Sequence, residues 1–280
     1  MYNQKDTKER NKKHLHETLF ANASFYIMEL TLTTYLIVCP LLFLAGFIDA
    51  IGGGGGLISL PAYLLAGLPV HQAIATNKLS STCGTTLATL RFIKNGLVNL
   101  KFAIPSVLTA ILGSSIGAKF SLLAPDGVME KLLFLILPLA AFIVLNKKIF
   151  KDHPDSTLQL NLKTYLVSIL AAFIIGMYDG FYGPGTGTFL IIAFTVFGQM
   201  NVSTSNAQAK VINLTTNITS LTIFLLNGQV LFSLGIVAAI CNMIGGYLGA
   251  GLVMQKGSRI AKPAILLVLF LLFLKVLGLF

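Results

Sequence analysis

The sequence predicts an all-α polytopic membrane protein: eight transmembrane helices as two four-helix repeats, each with a glycine-rich break and a half-helix. Three observations carry this. First, 55% of the 280 residues are hydrophobic and only 11% are charged, and apolar runs long enough to cross a hydrocarbon core of about 30 Å recur along the chain. Short alternating strands, the mark of a membrane barrel, are not seen. Second, an Asp followed by a glycine-rich break occurs twice, as Gly46-Phe-Ile-Asp49-Ala-Ile-Gly-Gly-Gly-Gly-Gly56 and Gly176-Met-Tyr-Asp179-Gly-Phe-Tyr-Gly183-Pro-Gly185-Thr-Gly187. Third, the second half repeats the first at a nearly fixed offset. Interrupted hydrophobic segments at matching places in two halves point to a transport site.

In order, residues 1–29 form a polar tail, with Lys5, Lys8, Arg10, Lys12 and Lys13 against Asp6, Glu9 and Glu17. Leu15, Leu19 and Phe20 give its later part a weak apolar face, and no cleavable signal peptide is expected at its start. A first transmembrane repeat takes 30–150 and a second 151–280. The spans are 30–48, 72–93, 102–121, 131–149, 163–182, 205–226, 231–253 and 260–279. The apolar stretches 57–66 and 187–197 are too short to cross at 1.5 Å per residue. They read as half-helices that enter and return or pack at the membrane edge, backbone tolerated only beside protein or a wet cavity.

The net charge of +10 does not signal nucleic acid, because the basic residues cluster in the tail and between apolar runs. With the N-terminus inside and the half-helices not crossing, Arg91, Lys94, Lys101, Lys147, Lys148, Lys151 and Lys163 lie inside, and Lys256, Arg259 and Lys262 outside. Both termini are then cytoplasmic. Cys39, Cys83 and Cys241 stand singly in apolar segments, read as packing residues, and with the four scattered histidines give no metal spacing. Glycines 52–56 are not followed by Gly-Lys-Ser/Thr, so no nucleotide loop and no cofactor is implied.

Asp49 and Asp179 differ by 130; after two inserted residues the offset becomes 132 and holds. It pairs Lys78 with Lys210, Asn95-Gly96 with Asn227-Gly228, Gly113 with Gly245 and Gly117 with Gly249. An even number of crossings per unit makes the repeats parallel; if the half-helices cross, they are inverted. The Gly113–Gly117 and Gly245–Gly249 spacings suit close helix packing, and the same faces could serve a homodimer.

Only Asp49 and Asp179 are acidic where the membrane core should be, a position that demands pairing, protonation or water. Each either caps the break or carries protons for coupling. Lys78 and Lys210 lie near mid-membrane, where two cations make a site for a small anion, or else form structural ion pairs with the Asp residues. Thr76, Asn77, Asn213 and Asn217 supply hydrogen bonds beside them, and the breaks at Gly53, Gly54, Gly55, Gly183, Gly185 and Gly187 free backbone groups.

These residues carry a resemblance. Gly46-Phe-Ile-Asp49 with its glycine run, Pro61, Gly67-Leu-Pro69, Ala75-Thr-Asn-Lys78 and the second Gly-x-x-Asp…Gly-x-Gly resemble the TauE/SafE sulfite exporter family over residues 30–280. The resemblance implies a bacterial or archaeal cytoplasmic-membrane transporter of sulfite, sulfoacetate or other small sulfur-containing or organic anions. With no ATP-binding unit, an ion gradient or the anion's own gradient would drive it. The alternatives are a passive anion channel and an intramembrane aspartyl enzyme, the latter requiring the two carboxyls to meet.

Overall fold

The structure is a computed structural model that describes residues 31–125, 127–129, 160–256, 259, 260 and 263. The expected tail 1–29 and the spans 131–149 and 260–279 lie outside the described residues, save Ile260 and Pro263 of the last. The described residues are helical and contain no strand. In order they form α1 (Leu32–Gly52), α2 (Gly56–Leu65), α3 (Val70–Lys94), α4 (Leu100–Leu123), α5 (Leu162–Phe181), α6 (Thr186–Val196), α7 (Val202–Leu226) and α8 (Phe232–Lys256). Five of them, α1, α4, α5, α7 and α8, are long and apolar enough to cross a membrane. Their outward faces are largely apolar: Leu108 on α4, Leu170 on α5 and Ile240 on α8 are all more than half exposed, which suits hydrocarbon as solvent. The chain is a multi-pass membrane protein.

Helix starts follow local chemistry. The side chains of Thr31, Asn99, Asn161 and Asn201 accept the N–H three residues on and cap α1, α4, α5 and α7. The chain turns left-handed at Gly53 and Gly185, at Gly67 and Gln199, and at Gly96 and Gly228, each pair 132 apart. Gln199 holds φ 55° where the first half uses glycine. The same backbone path therefore recurs even where the residue type does not.

Helix directions follow from contacts. On α4 and α5, Ser106 Oγ lies 2.6 Å from Ser168 Oγ, Thr109 bonds to the Ile169 carbonyl, Gly113 abuts Phe173 and Gly117 abuts Met177, so these helices run parallel. The equivalent set, Gly245 on Phe43 and Gly249 on Phe47, makes α8 parallel to α1. Along α3 and α8, Thr76 faces Gly235, Gly84 faces Asn242 and Arg91 faces Gly251, again parallel. Across α3 and α7 the order reverses, Lys78 meeting Asn217 and Thr89 meeting Lys210. Thus α1, α3 and α8 run one way, and α4, α5 and α7 the other. The third long helix of each half, α4 or α8, packs on the other half, and the Gly113–Gly117 and Gly245–Gly249 faces make these contacts within the chain.

This corrects the path through the half-helices. Because α1 and α3 are parallel, the segment between them returns the chain to the side from which α1 began. The ten residues of α2 cover about 15 Å. The residues on either side, 53–55 and 66–69, complete the return through turns, left-handed at Gly53 and Gly67. The equivalent helices α1 and α5 are therefore opposed, the inverted alternative. Arg91, Lys94, Lys101, Lys163, Lys256 and Arg259 all fall at one end, and Lys119 falls at the other.

Candidate functional site

The two breaks touch at the centre. The Thr188 N–H donates to the Gly53 carbonyl at 3.2 Å and its hydroxyl to the Gly52 carbonyl at 2.6 Å. A Cβ on Gly187 would stand 2.5 Å from Gly53 Cα, so the backbones approach as closely as glycine alone permits. Asn206 holds the end of α1 by donating to the Ala50 and Ile51 carbonyls, both at 3.0 Å.

One turn before each break stands its Asp, within the last turn of α1 or α5. Each is paired with the lysine of the other half: Lys78 Nζ to Asp179 Oδ2 at 2.9 Å, and Lys210 Nζ to Asp49 Oδ2 at 2.6 Å. Lys78 and Lys210 each lie eight positions past the start of their helices, about 12 Å in, too deep for water to neutralise them. The carboxylates also reach across the breaks. Gly55 N–H donates to Asp49 Oδ1 at 3.3 Å, and the Thr186 hydroxyl to Asp179 Oδ1 at 2.8 Å. Each Asp is at once an ion-pair partner and a brace for the break behind it.

The pairs border a cavity of about 20 Å³, room for about one water. Asp49, Asn77, Lys78, Ser81, Asp179, Thr186, Asn213 and Asn217 supply its side chains, with Gly53, Gly56, Gly183, Gly185 and Gly187 as backbone, and no apolar side chain lines it. Lys78 donates to Asn217 Oδ1 at 3.1 Å, Asn217 donates to Asn213 Oδ1 at 3.3 Å, and Ser81 donates to Asn77 Oδ1 at 3.3 Å. The halves are not identical here. Asp49 is 18% exposed and Asp179 2%. Lys78 lines the cavity, whereas Lys210 sits behind Asp49, fully buried. Among the described residues, two lysines and two carboxylates leave the site with no net formal charge.

The structure thus brings together Lys78, Asn77, Asn213, Asn217, both Asp residues and four of the six break glycines. Gly54 and Gly55 are not among the lining residues, although Gly55 braces Asp49. Thr76 is placed elsewhere: its hydroxyl accepts the Leu231 N–H at 3.0 Å, where α8 begins. Ser81 is one of the polar neighbours of Lys78 along the sequence but, like Thr186, was not among the residues expected to bind. Ser81 stands 132 residues before Asn213, so the repeat itself marked it; Thr186 lies by the two-residue insertion and has no such signal. Among the described residues no cluster of His, Cys, Asp and Glu could hold a metal ion.

Against known proteins, the family description "Sulfite exporter TauE/SafE" matches residues 38–276. A "Probable membrane transporter protein" of Haemophilus influenzae is 36% identical over 230 residues, 82% of this chain and 89% of that protein. "Probable membrane transporter protein ORF9" of Sinorhizobium is 34% identical, over 81% of this chain and 85% of that one. "Probable membrane transporter protein YfcA" of Escherichia coli is 32% identical over 248 residues, 88% and 90% respectively. No solved structure matches the chain.

Proposed function

The chain belongs to the sulfite exporter TauE/SafE family, and from that premise we propose that it is a secondary transporter moving a small anion (sulfite, a sulfonate or a related sulfur-containing or organic anion) across a bacterial cytoplasmic membrane. The observation that carries this reading is the pair of lysines buried about a third of the way along α3 and α7, Lys78 lining a cavity without an apolar side chain and Lys210 held behind Asp49 at its border. An anion entering it would meet Lys78 directly, the amides of Asn77, Asn213 and Asn217 at its sides, and Lys210 once Asp49 moves away.

Two repeats, 30–150 and 151–280, would form the site at their junction, with the spans expected at 131–149 and 260–279 completing eight long helices beside two returning half-helices. The recurring turns, glycine contacts and crossed ion pairs support that division. A cavity with room for about one water favours a carrier over an open channel. Against an aspartyl enzyme stands the pairing itself, since each carboxyl faces a lysine and not the other carboxyl.

The helix directions revise the expected orientation. With the basic end in the cytoplasm, α1 starts from the outer side, and Lys256 joins Arg91 inside. In a cysteine-free background, Lys101→Cys should react with an impermeant thiol reagent only from the cytoplasmic side, and Gly127→Cys only from outside. The reverse pattern would refute the orientation.

The function itself is tested by uptake and counterflow of sulfite, sulfoacetate and related anions in proteoliposomes. At least one should move faster than in protein-free vesicles, and the flux should fall at least tenfold in Lys78→Ala with Lys210→Ala. Flux in the variant equal to wild type would remove the site from the pathway.

A further inference from the structure

Resting on that reading, we propose that protons and the anion cross together: an anion bound at Lys78 or Lys210 requires Asp179 or Asp49 to take up a proton, which makes the protein a proton–anion symporter.

The argument is one of charge. Each ammonium already holds a carboxylate, at 2.9 Å for Lys78 and 2.6 Å for Lys210. Among the described residues the charged groups at the site are those four, one from each of α1, α3, α5 and α7. From α5, Tyr178 and Tyr182 are the other titratable groups nearby, and the Tyr178 hydroxyl is engaged by the Pro184 carbonyl at 2.7 Å. Among the described residues, α2 and α6 bring no charged side chain to the site, and the cations of α4 and α8 sit at helix ends.

Among the described residues no free cation is therefore left at the site for an incoming anion. If the anion took the lysine while the carboxylate stayed ionised, two negative groups would share a buried space without compensation, which proteins avoid by protonating one of them. The balanced step is a proton from solution added to Asp179 or Asp49, with the anion replacing that carboxylate on the ammonium, which stays protonated throughout. Asp49, partly exposed to the cavity, is the nearer of the two to water. The neutral acid can still accept from Thr186 or Gly55, so the helix breaks keep their brace.

Proton uptake and anion binding thus reinforce each other, and by linkage each raises the other's affinity. Mutual reinforcement is the sign required for symport; antiport requires that one ligand exclude the other. Two carboxylates set a ceiling of two protons per cycle, so transport is electroneutral for a monovalent anion with one proton or a divalent anion with two. Net export then occurs only while anion and proton together are more concentrated inside.

The test uses the full chain in proteoliposomes with the membrane potential clamped at zero, sulfite as the probe, a pH dye in the lumen and protein-free vesicles as the blank. An inward sulfite gradient should acidify the lumen beyond the blank, and acid outside should drive sulfite above equilibrium. In Asp49→Asn with Asp179→Asn, the protons carried per sulfite should fall to zero whatever flux remains. Sulfite entry that alkalinises the lumen, or that leaves its pH at the blank in wild type, overturns symport while leaving transport standing. If sulfite moves in neither gradient, and no other anion of the panel moves, the transport reading falls with it.

Discussion

Asp179→Ala is expected to destabilise the folded protein by about 3–5 kcal/mol, the cost of leaving a buried charge without its partner. Lys78 is 2% exposed, and its remaining described contact, Asn217 Oδ1 at 3.1 Å, is neutral. The double variant Lys78→Met with Asp179→Asn removes both charges, keeps an acceptor for Thr186 and should recover most of the loss. Thermal unfolding in detergent, at fixed pH and detergent concentration, measures both. A double variant no more stable than Asp179→Ala would mean that the charges are not coupled as their 2.9 Å separation requires. The comparison also separates the two roles that these groups combine, because stability returns in the double variant while the anion's first cation does not.

Gly187→Ala is expected to cost about 3 kcal/mol or to prevent folding. Its Cβ would stand 2.5 Å from Gly53 Cα, and the nearby contacts are backbone, which cannot rotate aside. Overpacking in a well-packed interior commonly costs about 1–3 kcal/mol, and the upper end applies where no side chain can yield. Separation of the breaks would also lose both Thr188 bonds to Gly52 and Gly53. Gly96→Ala is the control: nothing lies within 4 Å of its Cβ, and only its φ of 69° opposes the change. A penalty of about 1 kcal/mol is expected there. Equal melting temperatures for the two variants would refute the close approach.

Much of this was legible in the chain. The spans that fall on described residues come within four residues of the helices at either end, because apolar runs are a local signal. The offset of 132 finds Lys78 and Lys210 and the glycine faces, because it compares the chain with itself. Which carboxylate each lysine meets was open in the sequence, since the exchange of α4 and α8 between halves is a property of packing. The direction of α3 was misjudged for a related reason. A ten-residue helix is too short to cross by itself, and the side to which its flanking turns deliver the chain is set by packing, not by a local signal. Thr76 was assigned to the site by adjacency to Lys78, yet successive helical residues point about 100° apart, and its hydroxyl serves the start of α8.

Anion passage at these paired charges decides the function. Its most direct test is sulfite counterflow in proteoliposomes of wild type and of Lys78→Met with Asp179→Asn, matched for reconstituted and folded protein. Counterflow in wild type, reduced at least tenfold in the double variant, is the predicted result. A folded double variant that exchanges sulfite at the wild-type rate would contradict it.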